Sequence, residues 1–200
     1  MSTLARIAAI SLSVLTLGAA PAPTLISYPK AKGEFLIVPD TSPVRFQGWR
    51  EHGSTAHFGG RFVLSGTFIL QCSGLCNEDD NVELYIVPDR ALLARLPHWK
   101  LHKNDMMIAV MRPSQVAKKI TTSIQRTRLA SGKLPDIRGR ISIVAEDFTT
   151  QMICDSADYY VRFIAVSKPA KIVPVRFSGN YGCGAPETES AALTFDSHRL

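Results

Sequence analysis

The segment from Trp49 to His57 holds the densest group of side chains that could perform chemistry. His52 and His57 are candidate general bases, and Ser54 is a candidate nucleophile that an imidazole would have to activate. A hydrolase built on this segment requires two of these three residues and a carboxylate to converge in a cleft. Because the residues are adjacent only in sequence, we favour the simpler interpretation of a polar loop with an aromatic anchor. No standard hydrolase, metalloprotease, nucleotide-binding or dinucleotide-binding motif occurs in the chain.

The four cysteines, Cys72, Cys76, Cys154 and Cys183, predict two disulfides if the chain is exported. Four cysteines allow three pairings. We favour Cys72–Cys76, which would close a short turn, together with Cys154–Cys183. A zinc site is the alternative, because Cys72-x3-Cys76 is followed by His98-x3-His102. We disfavour zinc because the Cys-to-His gap is long and an oxidising compartment favours disulfides. No metal and no cofactor is therefore expected.

Positive charge is concentrated in the middle of the chain. The whole sequence carries a net charge of +6, whereas residues 95–140 alone contain eleven Lys or Arg and two acidic residues, a net charge of +9. Such asymmetry predicts a basic surface that meets lipid headgroups, an acidic glycan or an acidic protein face. The candidate partner contacts are Lys118, Lys119, Arg126, Arg128 and Trp99. The alternative is that these charges only solubilise an ordinary helix.

The first residues of the chain predict export. Arg6 precedes an uncharged apolar run of 14 residues from Ile7 to Ala20, which ends in small residues. This run is shorter than the roughly 20 residues that a membrane-spanning helix needs, and its pattern is that of a signal peptide. We therefore expect a signal peptide at 1–22, one domain at 23–185 and a flexible tail at 186–200. The mature protein should be periplasmic or secreted, without a transmembrane helix and without a nucleic-acid partner.

Alternating apolar and polar residues predict a mainly β fold. The expected strands are listed here: Glu34–Val38, Val44–Gly48, Arg61–Leu70, Val82–Val87, Asp105–Met111, Ile137–Ala145, Thr149–Cys154, Tyr159–Val166 and Ile172–Phe177. This pattern indicates an antiparallel sandwich or a small barrel in an α+β arrangement.

Two helices are expected between the strands. Asp89 would cap a short helix from Arg90 to Leu96. A long amphipathic surface helix would begin at Pro113 and end before Gly132, with Val116, Ile120 and Ile124 along its buried stripe.

These observations favour a non-enzymatic envelope module that contacts an anionic or protein partner through the basic segment 95–140. A hydrolase acting on an envelope polymer is the first alternative. A small-ligand carrier is the second, and it requires a lined cavity instead of a filled core. The sequence leaves the ligand and the oligomeric state open.

Overall fold

Strands account for most of the part of the chain that the structure describes, as the alternating pattern predicts. The computed structural model describes residues 22–72, 82–100, 106–153 and 156–173. The predicted signal peptide, except for Ala22, and the predicted C-terminal tail lie outside the described residues, as do Cys76, Cys154, Cys183 and His102. The disulfide pairing and the zinc alternative therefore stay predictions.

The described elements are numbered in chain order. The strands are β1 Thr24–Ser27, β2 Phe35–Val38, β3 Arg45–Arg50, β4 Thr55–Gly59, β5 Phe62–Cys72, β6 Val82–Pro88, β7 His98–Trp99, β8 Ile108–Met111, β9 Asp136–Ile153 and β10 Ser156–Val173. The helices are α1 Arg90–Leu93, α2 Pro113–Ile120 and α3 Ser123–Ala130. The sequence pattern missed β1 and β7, and it missed β4 because we interpreted that segment as a polar loop.

The larger of two sheets has seven strands in the order β10-β8-β6-β5-β9-β4-β3, and β10 also pairs with β9. The strands β5, β6, β8, β10 and β9 therefore form a closed circuit of pairings, which we call the strand ring. Within this ring β8 and β10 run parallel, and the other pairs are antiparallel. The parallel pair corrects the expectation of a purely antiparallel fold. It arises because the chain passes through α2, α3 and β9 before it returns beside β8.

Apolar side chains fill the inside of the strand ring. Phe68, Leu84, Ile86 and Ile143 are each exposed by 1% or less, and they alternate with outward-facing residues along their strands. Burial of this kind stabilises a domain by about 25 cal/mol for each Å² of apolar surface removed from water. The inside of the ring is a packed core, which does not favour the small-ligand carrier.

A three-stranded sheet, β1-β2-β7, packs against the extension of the large sheet through aromatic side chains. The ring of Trp99 in β7 lies 5.0 Å from that of Tyr28 and 6.0 Å from that of Trp49 between ring centroids. Trp99 is fully buried, and its Nε1 donates to Thr150 Oγ1 at 2.8 Å. The Thr150 hydroxyl donates in turn to the carbonyl oxygen of Asp158 at 2.8 Å. Thr150 thus connects the small sheet to β9 and β10.

The single long helix that we expected is two short helices, and this prediction was wrong. Thr121 is extended (φ −122°, ψ 155°) and separates α2 from α3. Thr122 then caps α3 through reciprocal hydrogen bonds with Gln125, the capping-box arrangement. These threonine side chains compete with the helical hydrogen bonds and end α2. As a result Val116 and Ile120 are buried, whereas Ile124 is 72% exposed.

The short helix is confirmed, but it ends at Leu93 instead of Leu96. Asp89 occupies its N-cap position without a side-chain capping hydrogen bond, because its carboxylate pairs with Arg140 of β9. Across the described ranges, no helix has the length and apolar character needed to cross a bilayer.

We predict that Thr150→Val destabilises the protein by about 2–4 kcal/mol, because it leaves the Trp99 indole N–H and the Asp158 carbonyl without their buried partner. The matched control is Thr149→Val, the preceding residue, whose side chain lies on the opposite face of β9 and is only partly buried. This control should change the free energy of unfolding by less than about 0.5 kcal/mol. Urea denaturation of both variants measures the difference, and equal effects would contradict the proposed role of Thr150.

Candidate functional site

A cleft of about 470 Å³ lies on the solvent-facing side of the large sheet, across β3, β4, β9 and β10 and at the end of β8. We call it the polar cleft. Its lining includes Arg50, Glu51, Thr55, His57, Met111, Asp147, Thr149, Gln151, Tyr160 and Arg162. Core aromatic residues such as Phe148 and Tyr159 alternate along β9 and β10 with the residues that line the cleft, whereas Phe58 also reaches the cleft lining.

The strand register aligns these side chains. His57 lies opposite Thr149, Thr149 opposite Tyr160, and Tyr160 opposite Ala109. Ala109 lies opposite Tyr85 on the next strand. Because cross-strand partners project from the same face of a sheet, these five residues form one continuous row on the outside of the molecule, which we call the cross-strand row. All five are partly exposed.

A bulge in β9 shapes one wall of the polar cleft. Between the pairs Thr149–Tyr160 and Glu146–Arg162, β9 has one more residue than β10, and this residue is Asp147 with φ 52°. Asp is among the residues that tolerate this left-handed conformation best. The Arg162 guanidinium consequently contacts two neighbouring carboxylates, with Nε 2.7 Å from Asp147 Oδ2 and an Nη atom 2.5 Å from Glu146 Oε1.

The phenol groups of the cross-strand row are held by carboxylates. Tyr160 donates to Asp158 Oδ2 at 3.1 Å, and Tyr85 donates to Glu83 Oε2 at 3.2 Å. Burial raises the pKa of both tyrosines above the ordinary value of 10.0, and the neighbouring carboxylates raise it further. Both side chains are therefore protonated at neutral pH and present oriented rings with a polar edge.

His57 is the residue of the polar cleft whose ordinary pKa lies closest to neutral pH. Burial lowers its pKa below 6.5, and the Arg50 guanidinium lowers it further, while Glu51 and Asp147 act in the opposite direction. The imidazole is therefore neutral at pH 7, and no other described residue hydrogen-bonds to its ring. A neutral imidazole with available nitrogens can both donate to and accept from a ligand.

The structure does not bring together the three residues of the hydrolase hypothesis. Ser54 Oγ donates to the carbonyl oxygen of Glu51 at 2.7 Å within the β3–β4 turn. His52 is exposed in the same turn with φ 57°. Neither residue lines the polar cleft, whereas His57 does. The nearby hydroxyl of Thr55 donates to Glu51 Oε2 at 2.7 Å, so Glu51 orients a threonine.

The predicted partner contacts have different positions. Trp99 is fully buried in the aromatic core, so it packs the fold together and is not exposed to a partner. Lys118, Lys119 and Arg128 are exposed on α2 and α3. Lys119 Nζ lies 5.3 Å from the centre of the Phe163 ring, and Arg126 donates to the Thr121 carbonyl at 2.7 Å. These two cations therefore have internal roles as well.

Sequence reasoning missed most of the polar cleft, including Gln151, Tyr160 and Arg162, and it gave no role to Arg50 within the segment Trp49 to His57. The alternation in the predicted strands Thr149–Cys154 and Tyr159–Val166 marks which of these side chains face outward. Alternation does not tell which distant strand lies beside which, so their assembly into one site was not predictable. Among the described residues, no group of three or more His, Cys, Asp or Glu is placed to hold a metal ion.

Comparison of the chain with known proteins finds no match among family models, curated proteins or solved structures. The function must therefore be inferred from the residues themselves.

We predict that Arg50→Gln raises the pKa of His57, because it removes a cation that repels the imidazolium. In the native protein the imidazole should titrate below 6.5 in an NMR pH titration. Since the unfolded chain then binds this proton more readily than the folded one, the contribution of His57 to stability is fully present above pH 6.5 and is lost as the pH falls through the window below it. The control is Arg45→Gln at the other end of β3, outside the cleft lining. A native His57 that titrates above 6.5 would refute this electrostatic account.

Proposed function

We propose that this chain is an exported, non-enzymatic binding module of the cell envelope that holds an extended, hydroxyl-rich ligand, a saccharide chain, along the cross-strand row and in the polar cleft. The observation that carries the proposal is the row Tyr85, Ala109, Tyr160, Thr149 and His57, which crosses five adjacent strands on one outer face. Strands in a sheet are spaced about 4.8 Å apart, so the row extends over about 19 Å. This length suits an oligomer better than a single small molecule.

The side chains favour a ligand that both donates and accepts hydrogen bonds. Phenol, imidazole, amide and hydroxyl groups occur along the row and its neighbours, and the small residue Ala109 lies between the two tyrosines in the register. Saccharide hydroxyls match this mixture, and the apolar faces of sugar rings match tyrosine rings. The charge of Arg162 is already balanced by Glu146 and Asp147, so the cleft has no excess of positive charge for a polyanion.

The arrangement of the strands supports the same proposal. We assign the strand ring to the five-stranded Greek-key barrels of the OB type, with α2 and α3 in the connection between the third and fourth strands of the ring. Barrels of this type bind oligosaccharides and oligonucleotides on their outer face. This analogy of fold supports a binding role.

Binding is favoured over hydrolysis because the hydroxyl of Ser54 lies outside the polar cleft and donates to a backbone carbonyl. The exposed cations Lys118, Lys119 and Arg128 favour a second version of the same role, in which α2 and α3 contact an anionic envelope surface. The two versions differ in their response to salt, because ionic contacts of exposed side chains weaken as salt screens them.

We predict that the protein without residues 1–22 binds N-acetylglucosamine oligomers with an affinity that rises from two to about five units and changes little with salt. Tyr160→Ala should weaken binding about tenfold, equivalent to about 1.4 kcal/mol, because it removes the central ring of the row. Calorimetric titration measures both effects.

The matched control for this experiment is Arg128→Gln on α3, which should leave oligosaccharide binding unchanged. An affinity that is independent of oligomer length, or equal in the native protein and Tyr160→Ala, would refute the cleft version. Binding to anionic vesicles that is lost on Arg128→Gln and in high salt would instead identify the helices as the contact surface.

A further inference from the structure

A second surface site lies further along β9 and β10, where β5 runs beside β9. Two rows cross these strands: Ser65, Ser142 and Lys168 in one, and Thr67, Arg140 and Lys171 in the next. A cavity of about 590 Å³ opens here, lined by Ser65, Asp89, Arg140, Ser142, Lys168 and Lys171. None of these residues lines the polar cleft.

An irregularity in β10 brings the two lysines onto one face. Lys168 pairs with Ser142 and Lys171 with Arg140, so two residues of β10, Pro169 and Ala170, stand opposite the single residue Ile141. In a regular strand, residues three positions apart point to opposite faces. The extra residue in this bulge turns Lys171 to the same outer face as Lys168. Bulges commonly re-aim side chains at functional sites.

The cluster has more positive than negative charge. Three cations, Arg140, Lys168 and Lys171, surround one carboxylate, that of Asp89, and Asp89 is paired with Arg140 through a 2.5 Å contact. Neither lysine side chain forms an ion pair or a hydrogen bond with any other described residue. Lys171 also lies directly across from Arg140, and like charges opposite each other in a sheet are unfavourable. An anion bound between the side chains of Lys171 and Arg140 would reduce this repulsion.

Hydroxyl groups complete the donor set. Ser65 Oγ and Ser142 Oγ lie 2.6 Å apart, so one hydroxyl donates to the other. The accepting serine retains its own hydrogen, which it can donate to a ligand in the cavity. The site thus offers two ammonium groups, a guanidinium fixed by Asp89 and a hydroxyl, which together suit a compact oxyanion with several acceptor oxygens.

We propose that this cationic pocket binds a phosphate-type dianion, either free phosphate or the phosphate monoester of a lipid headgroup. The proposal is independent of the polar cleft, because the two sites share no residue. The bulge at Pro169 and Ala170 positions the lysines, Asp89 orients the guanidinium, and the serine pair provides the neutral donor.

The test uses the chain without residues 1–22 and inorganic phosphate at pH 8 and low salt, with calorimetry for affinity and amide NMR shifts for location. The double variant Lys168→Gln/Lys171→Gln should weaken phosphate binding at least tenfold. The matched control, Lys30→Gln/Lys32→Gln, removes the same charge from exposed positions outside the pocket and should change affinity less than twofold. Equal losses in the two double variants would overturn the proposal, since they would show that only net charge matters.

A third variant gives an effect of opposite sign, which unfolding cannot mimic. Asp89→Asn keeps a side-chain oxygen that can accept from the Arg140 guanidinium but removes the negative charge that competes with the anion, so it should tighten phosphate binding several-fold. Unchanged or weaker binding in this variant would overturn the proposed geometry.

Vesicles distinguish the two sources of the dianion. Binding to phosphatidate vesicles but not phosphatidylcholine vesicles, lost in Lys168→Gln/Lys171→Gln, would support the headgroup as the source. Binding of inorganic phosphate with the same variant pattern, but no vesicle binding, would support the free ion. Failure of both probes would refute the anion site and would leave the oligosaccharide proposal intact.

Discussion

Strand β9 connects the parts of this molecule because both of its edges are hydrogen-bonded along most of its 18 residues. One edge pairs with β10 over nearly the whole length. The other edge pairs first with β5 and then with β4. The backbone N–H and C=O groups of β9 therefore pair with strands of the strand ring and with β4 outside the ring at the same time. The positions of the core, of the polar cleft and of the cationic pocket all follow from its course.

The pairing of β9 with β10 contains four register shifts, and two of them fall beside the two surface sites. Asp147 adds one residue to β9 next to the polar cleft and brings two carboxylates to Arg162. Pro169 and Ala170 add one residue to the partner strand β10 next to the cationic pocket. In both places the extra residue changes which face a charged side chain occupies. These two extra residues therefore interrupt the regular pairing of β9 with β10 and also place the charged side chains of the two sites.

The two sites differ in electrostatic character, although they lie on neighbouring stretches of the same two strands. In the polar cleft, arginine charges are balanced by carboxylates, and His57 is neutral at pH 7. In the cationic pocket, two lysines have no carboxylate partner among the described residues. This division suits one site to an uncharged ligand and the other to an anion. A module with both surfaces could contact a saccharide polymer and an anionic group at the same time.

The sequence by itself determined the mainly β character and most of the strands, together with the alternation of inward and outward side chains along them, because these depend on periodicity over a few positions. The capping box at Thr122 was also present in the sequence, and overlooking it produced the wrong long helix. Only the tertiary structure decided that Trp99 is buried, that Ser54 is separated from the cleft of His57, and that Tyr85 and Tyr160 share a row with Ala109. Register between strands distant in sequence, and the bulges that shift it, depend on hydrogen bonds formed only when the ring closes, and no local pattern encodes them.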